Sequence, residues 1–300
     1  MVEKQPDPRF KKLAEPFQFD DADIIIRTRD ADFPAHKLIL SYASTVFKDM
    51  FSVPCSQTTP QEGPPIVEVT EDAQTIHDIL SWIYPNGDNV SFDDFPTLHR
   101  LVLGMRKYAI PNLKIIVADT LIRKAAEDPL RVFAIACNAE APQIALIAAH
   151  HALKLEFVDI GTANIPELNS LRVNTMSKLL RYHKQCGVAA SSRILHHALQ
   201  FPIAYHPFQT MASKRGTMDC TRWWKDYVVR TAELSKSRPI QLDYTSTKVI
   251  GEYCRGIENC TVCSRLAALK LIDFGERVER EVKEAIAQVQ GLLMSMGYIC

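Results

Sequence analysis

Four cysteines and a few histidines are the residues of this chain whose types and spacing bear on chemistry. The tightest group is Cys254-x5-Cys260-x2-Cys263, with Cys220 upstream. A C-x-x-C turn sets two thiolates at the separation tetrahedral zinc requires, and Cys220 and Cys254 would complete a four-cysteine site if the fold gathered them. Neither a second C-x-x-C nor a C-x-x-H lies nearby, so the spacing favours the competing reading, reduced thiols in a helical core. His183 and Cys186 stand three apart on one helix face, as two metal ligands would. A packed thiol beside a half-exposed imidazole is the plainer account. His36 has no cysteine or second histidine at ligand spacing and reads as a structural imidazole where a strand meets a helix. The adjacent pairs His150-His151 and His196-His197 project from different helix faces and do not form two-toothed ligands.

Catalytic signatures are missing. The sequence holds no G-x-G-x-x-G, G-x-x-x-x-G-K-[ST], G-x-S-x-G or H-E-x-x-H, and its 11 glycines leave few phosphate-cradling loops. No catalytic residue is singled out, although catalytic groups can also assemble from residues distant in sequence, and no cofactor is expected. The 300 residues carry 35 Lys+Arg against 35 Asp+Glu, and the basic stretches are only pairs, Lys11-Lys12 and Lys214-Arg215. Nucleic-acid binding needs a surplus of cations to displace counterions from phosphates, so it is disfavoured. At 47% apolar and 23% charged residues the chain is of ordinary globular composition, enough for roughly two domains. The charged first ten residues are followed by no apolar run, and the most membrane-like stretch, 132–153, is broken by Asn138, Glu140, Pro142 and Gln143. No signal sequence and no membrane span are expected. Eight cysteines without a signal imply a reducing intracellular compartment, cytoplasm or nucleus.

The elements that must position these groups follow from the pattern. Residues 1–19, with Pro6, Pro8 and Pro16, read as a loose leader. Asp23-Ile24-Ile25-Ile26-Arg27-Thr28 suits a buried strand, Arg29–Asp32 a turn, and Phe33–Leu40 a second strand running into a short helix. Ser44 can cap a second helix with Val46, Phe47, Met50 and Phe51 on one face. A proline-rich loop, 54–65, leads to the half-buried strand Ile66-Val67-Glu68-Val69. A helix from about 73 to 83 ends at Tyr84-Pro85-Asn86-Gly87, and helices carrying Leu98 to Tyr108 and Leu113 to Leu121 follow. Segments 129–139, 142–155, 166–186 and 188–200 read as successive short helices. Beyond a loop at 201–215 come a helix with Trp223-Trp224 and a long helix from about 266 to 296. Its stripe of Val278, Val282, Ile286, Val289 and Leu293 covers only about two heptads, which favours packing within its own domain over a coiled coil. The fold class is an α+β domain followed by an all-helical region.

Residues 21–120 resemble a BTB/POZ domain. The resemblance is carried in order by Asp23-Ile24-Ile25-Ile26, Phe33-Pro34-Ala35-His36-Lys37-Leu38-Ile39-Leu40-Ser41, Ser44-x-x-Phe47-x-x-Met50-Phe51, Ile66-Val67-Glu68-Val69, Leu80-x-x-Ile83-Tyr84-Pro85 and Met105-Arg106-Lys107-Tyr108-Ala109-Ile110. The Tyr-Pro ending and Leu180-Arg181-Tyr182-His183-x-x-Cys186 look most like the large fungal group of BTB/POZ-domain proteins. The resemblance implies a small sheet capped by a helical cluster and used for protein–protein interaction. It suggests a leader at 1–19, the domain at 20–120, a helical extension of three-box type at 121–200 and a helical carboxy-terminal region at 201–300. It also implies self-association, recruitment of a cullin-type ubiquitin-ligase scaffold, or transcriptional co-regulation, the partner staying unidentified. Asp23 and Lys37 match the charged positions of the dimer-seam groove in repressor-type members, with His36 between strand and helix. Met50, Phe51 and Val53 lie where the family meets cullin, although Phe51–Gln57 lacks the acid of the cullin-binding triplet.

Overall fold

The computed structural model describes residues 17, 19–52, 63–84, 93–111, 115–200, 222–240, 244, 251 and 261–295. The chain divides into two units, one of residues 1–123 with 135–141 and one of 124–134 with 142–300.

The first unit is built on a three-stranded sheet. Strand β1 (Ile24–Arg27) lies between β2 (Asp32–Ala35), antiparallel to it, and β3 (Ile66–Glu68), parallel to it. Ile24, Ile25 and Ile26 are all buried, as a central strand covered on both faces requires. The hairpin closes on Thr28, whose N–H donates to the Ala31 carbonyl at 2.9 Å and whose hydroxyl accepts from Ala31 N–H at 3.0 Å. Arg27 then faces Asp32 across the strands, with Nε and Nη2 donating to the two carboxylate oxygens at 2.8 and 2.6 Å. Pro34 sits mid-way along β2 opposite Ile25, a place open to proline because β2 is the edge of this sheet.

Helices α1 (Lys37–Ala43) and α2 (Thr45–Ser52) connect β2 to β3, and α3 (Ala73–Ile83) and α4 (Phe95–Lys107) pack against each other. Ser44 caps α2 by accepting from Phe47 N–H at 3.0 Å. Asp72 and Asp94 cap α3 and α4 by accepting from Thr75 and Thr97 N–H at 2.7 and 2.9 Å. Between those helices the buried Asp78 takes Arg100 Nη2 at 3.2 Å. Helix α5 (Ile115–Lys124) follows, and the division between the units falls within α6 (Pro129–Asn138).

The second unit holds α7 (Pro142–Ala152), α8 (Phe157–Thr162), a 3-10 turn (Pro166–Ser170), α9 (Val173–Gln200), α10 (Arg222–Ser237) and α11 (Thr261–Ser295). The sequence predicts separate helices at 166–186 and 188–200; instead one 28-residue helix runs through Gly187. Glycine inside a helix costs about 1 kcal/mol relative to alanine, which is why it reads as a break. Here it admits a neighbour: a Cβ at 187 would lie 2.4 Å from the Lys236 carbonyl oxygen of α10. Helix α9 is the spine, buried along Leu179, Tyr182, Cys186, Ala190 and Ile194, with α7, α8, α10 and α11 packed on it. Val278, Val282 and Ile286 of α11 are buried in this unit. Trp224, Tyr227 and Phe274 form an aromatic cluster, with His197 5.5 Å from Phe274.

Gly187→Ala is expected to destabilise the protein by about 1–3 kcal/mol, because the methyl meets backbone. Gly161→Ala in α8 is expected to stabilise it by up to about 1 kcal/mol, its new methyl meeting nothing within 4 Å. Urea unfolding of the full chain measures both, and a stabilised Gly187→Ala would contradict the close approach of α9 and α10.

Candidate functional site

The junction between β2 and α1 gathers three of the residues singled out in the sequence. Helix α1 has seven residues and no cap from its own side chains. Its first turn is satisfied from a distance: Asp23 Oδ1, at the start of β1, accepts from Lys37 N–H at 2.7 Å. The Tyr84 hydroxyl, at the end of α3, accepts from His36 N–H at 2.9 Å. The His36 ring completes the circuit. Its Nε2 lies 3.2 Å from Asp21 Oδ1 and its Nδ1 lies 3.0 Å from Tyr84 Oη. A carboxylate only accepts, so Nε2 carries the proton and Nδ1 accepts from the Tyr84 hydroxyl. The His36 hydrogen bond holds the exposed Asp21 below its ordinary carboxylate pKa, and burial pushes the Tyr84 phenol up to about 12.

Two aromatics that the sequence places in the loose leader frame this circuit. Phe17, only 1% exposed, packs on Phe33, Tyr84 and the edge of His77, and Phe19 stacks on Tyr84 at 5.1 Å and lies 4.9 Å from His36. Their alternation just before the strand, Phe17-x-Phe19, is the signal that could have marked them as anchors. On α1 itself Leu40 is buried, whereas Leu38 is 81% and Tyr42 94% exposed, one turn apart.

Met50 and Phe51, at the end of α2, are half-buried. Phe51 stacks on the buried Phe47 at 5.9 Å, and Phe47 stacks on Tyr108 at 4.5 Å. The Ser44 hydroxyl donates to the Tyr108 carbonyl, and the Tyr108 hydroxyl donates to Glu71 at 2.7 Å. Burial opposes ionisation of Glu71, but hydrogen bonds from Lys107 and Tyr108 outweigh it and hold the carboxyl below its ordinary range. Val53 and the group Cys220, Cys254, Cys260 and Cys263 lie outside the described residues and side chains.

His183 and Cys186 are both buried in α9. His183 Nε2 donates to the Leu155 carbonyl at 3.0 Å, and burial pushes the Cys186 thiol up to about 12. His196 bonds Gln200 on its own helix while His197 meets Glu281 of α11. Among the described residues no group of three or more His, Cys, Asp or Glu is arranged to hold a metal ion, and no helix is long and apolar enough to cross a membrane.

Residues 10–125 match the BTB/POZ domain family, and the small sheet with its helical cluster agrees: the protein carries a BTB/POZ domain, a protein-interaction fold, followed by a helical region. No curated protein matches the chain.

Removing the remote cap tests the junction. Asp23→Ala is expected to cost about 0.5–2 kcal/mol in urea unfolding, with Asp23→Asn restoring part of it; equal losses in both would show that the accepting oxygen is immaterial. A second expectation concerns pH. Burial lowers the pKa of His183, against a smaller opposing effect of its bond to Leu155, and burial also lowers His150 and His151. Below their ordinary value of about 6.5 the unfolded chain takes up protons that the folded chain refuses, so stability falls as pH drops through that window. The urea midpoint should decline from about pH 7.5 to 5.5, and less steeply in His183→Gln; a flat wild-type profile would contradict this.

Proposed function

We propose that this protein is a non-enzymatic interaction module whose BTB/POZ domain pairs with a second copy through the outward face of α1. The observation that carries the reading is the exposure of Leu38 and Tyr42, one turn apart on a helix anchored at its start. Solitary exposed leucines are ordinary, but a tyrosine on a fixed helix has the form of an interface anchor, with large contact area and little rotamer entropy to lose, and Leu38 extends the apolar surface beside it. Asp23 and Lys37 flank the start of that face, and the anchorage around Tyr84 spares the helix from ordering on contact. Pairing would bring two helical carboxy-terminal units into one assembly, an arrangement suited to a ligase adaptor or a co-regulator that selects a further partner with those units.

Light scattering on the full-length protein tests this. Wild type is expected at twice the 33.9 kDa of one chain, and Leu38→Asp/Tyr42→Asp at the mass of one chain with unchanged circular dichroism. A single-chain wild type at micromolar concentration, or a double variant that still pairs, would overturn the reading.

A further inference from the structure

The corner between α7 and α8 is fastened from outside. The Leu155 carbonyl accepts from His183 Nε2 of α9 at 3.0 Å, and Glu156 Oε1 accepts from Arg238 Nη2, just past α10, at 2.5 Å. The Phe157 ring lies 5.8 Å from that of His183. Helix α8, which begins here, has six residues and no side-chain cap, and a methyl at Gly161 would meet nothing within 4 Å. A helix this short is marginal by its own hydrogen bonds, so its place on α9 depends on these fastenings.

The His183 fastening suits one protonation state. The residue is 0% exposed, and with the proton on Nε2 its buried Nδ1 has no hydrogen-bond partner among the described residues. Proton uptake at Nδ1 would set an N–H and a full charge where no acceptor waits, a cost that water removes. Several charged or titratable groups surround the corner. Lys154 repels protons from His150 and His151 of α7, and Asp159 is exposed on α8. Glu156 is engaged by Arg238, and Lys236 of α10 pairs with Glu233. On α9 itself Arg181 and Lys184 are exposed, and burial keeps Tyr182 and Cys186 neutral. Only burial and the Leu155 bond act on the His183 ring, so among the described residues no carboxylate offsets a charge there.

We propose that residues 155–162 form an acid-released flap, held on α9 while His183 is neutral and freed when Nδ1 takes a proton from solvent. The bond from Nε2 does not itself fail; the buried charge is relieved when the flap lifts and water reaches the ring. Opening uncovers Ile160, otherwise fully buried, and the side of Phe157 that faces His183. The device ties exposure of this apolar surface to pH and does not depend on pairing through α1.

Hydrogen–deuterium exchange of the full-length protein at pH 7.5 and 5.5, corrected for the intrinsic pH dependence of exchange, tests it. The reporters are the amides of Leu155 and Ile160, bonded to the Ala152 and Glu156 carbonyls at 3.0 and 3.2 Å. Their protection should fall about tenfold on acidification, the ratio one imidazole with an open-state pKa near 6.5 supplies over this interval. Amides of α9 between 179 and 194 should keep theirs. His183→Gln retains an N–H donor without the titration and should lose the response, whereas His150→Gln/His151→Gln should respond as wild type does. In wild type the His183 ring-proton resonance should shift over the same interval. Unchanged protection at the reporters overturns the inference, as does simultaneous loss along α9, which would be general unfolding. So does a response that persists in His183→Gln or vanishes in the α7 double variant. A His183 resonance that stays neutral while the flap opens would overturn it whatever the variants do.

Discussion

A helix of seven residues does not hold its shape by its own hydrogen bonds; isolated helices shorter than about 12 residues are marginal in water. Helix α1 is such a helix, and it supplies none of its own capping. What fixes it is the pair of acceptors brought to its first turn by other elements, the Asp23 carboxylate from the start of β1 and the Tyr84 hydroxyl from the end of α3. The sheet, the following helix pair and the aromatic frame of Phe17 and Phe19 all converge on these two oxygens. The outward face of α1, with Leu38 and Tyr42 exposed, is thereby held rigid by bonds from other elements.

The second unit solves a different problem. Among its described residues no sheet organises the helices, so α9 serves as a common wall, and the approach of α10 is set by what α9 lacks at Gly187. Aromatic contacts among Trp224, Tyr227 and Phe274 then join α10 to α11. Polar groups in this core are met both by backbone, as the His183 imidazole is at the Leu155 carbonyl, and by side chains, as the Ser235 hydroxyl is by that of Tyr244 at 3.2 Å.

Much of this was legible because local signals agreed. The run Ile24–Ile26, the end of α3 at Tyr-Pro and the Ser44 cap combine propensity, periodicity and breaker chemistry, and each names its element without help from afar. Illegible features depend on residues distant in sequence. Asp23 reads as an acid at the start of a strand, and nothing near it announces an amide 14 residues on. Gly187 reads as a break because its compensation lies on another helix. Phe17 and Phe19 read as leader because their partners are Tyr84 and His77, and α8 is too short to show a period.

The proline in β2 has a consequence beyond its tolerance there. Ile25 sends its N–H away from β2, to the Pro65 carbonyl, so its partner Pro34 turns its nitrogen to the open side of the sheet. That nitrogen bears no hydrogen. A foreign strand approaching the edge finds a four-residue template missing a donor at its middle, and cannot extend the ladder. Of the two edges of the three-stranded sheet, the one formed by β2 is thereby blunted against strand-on-strand stacking.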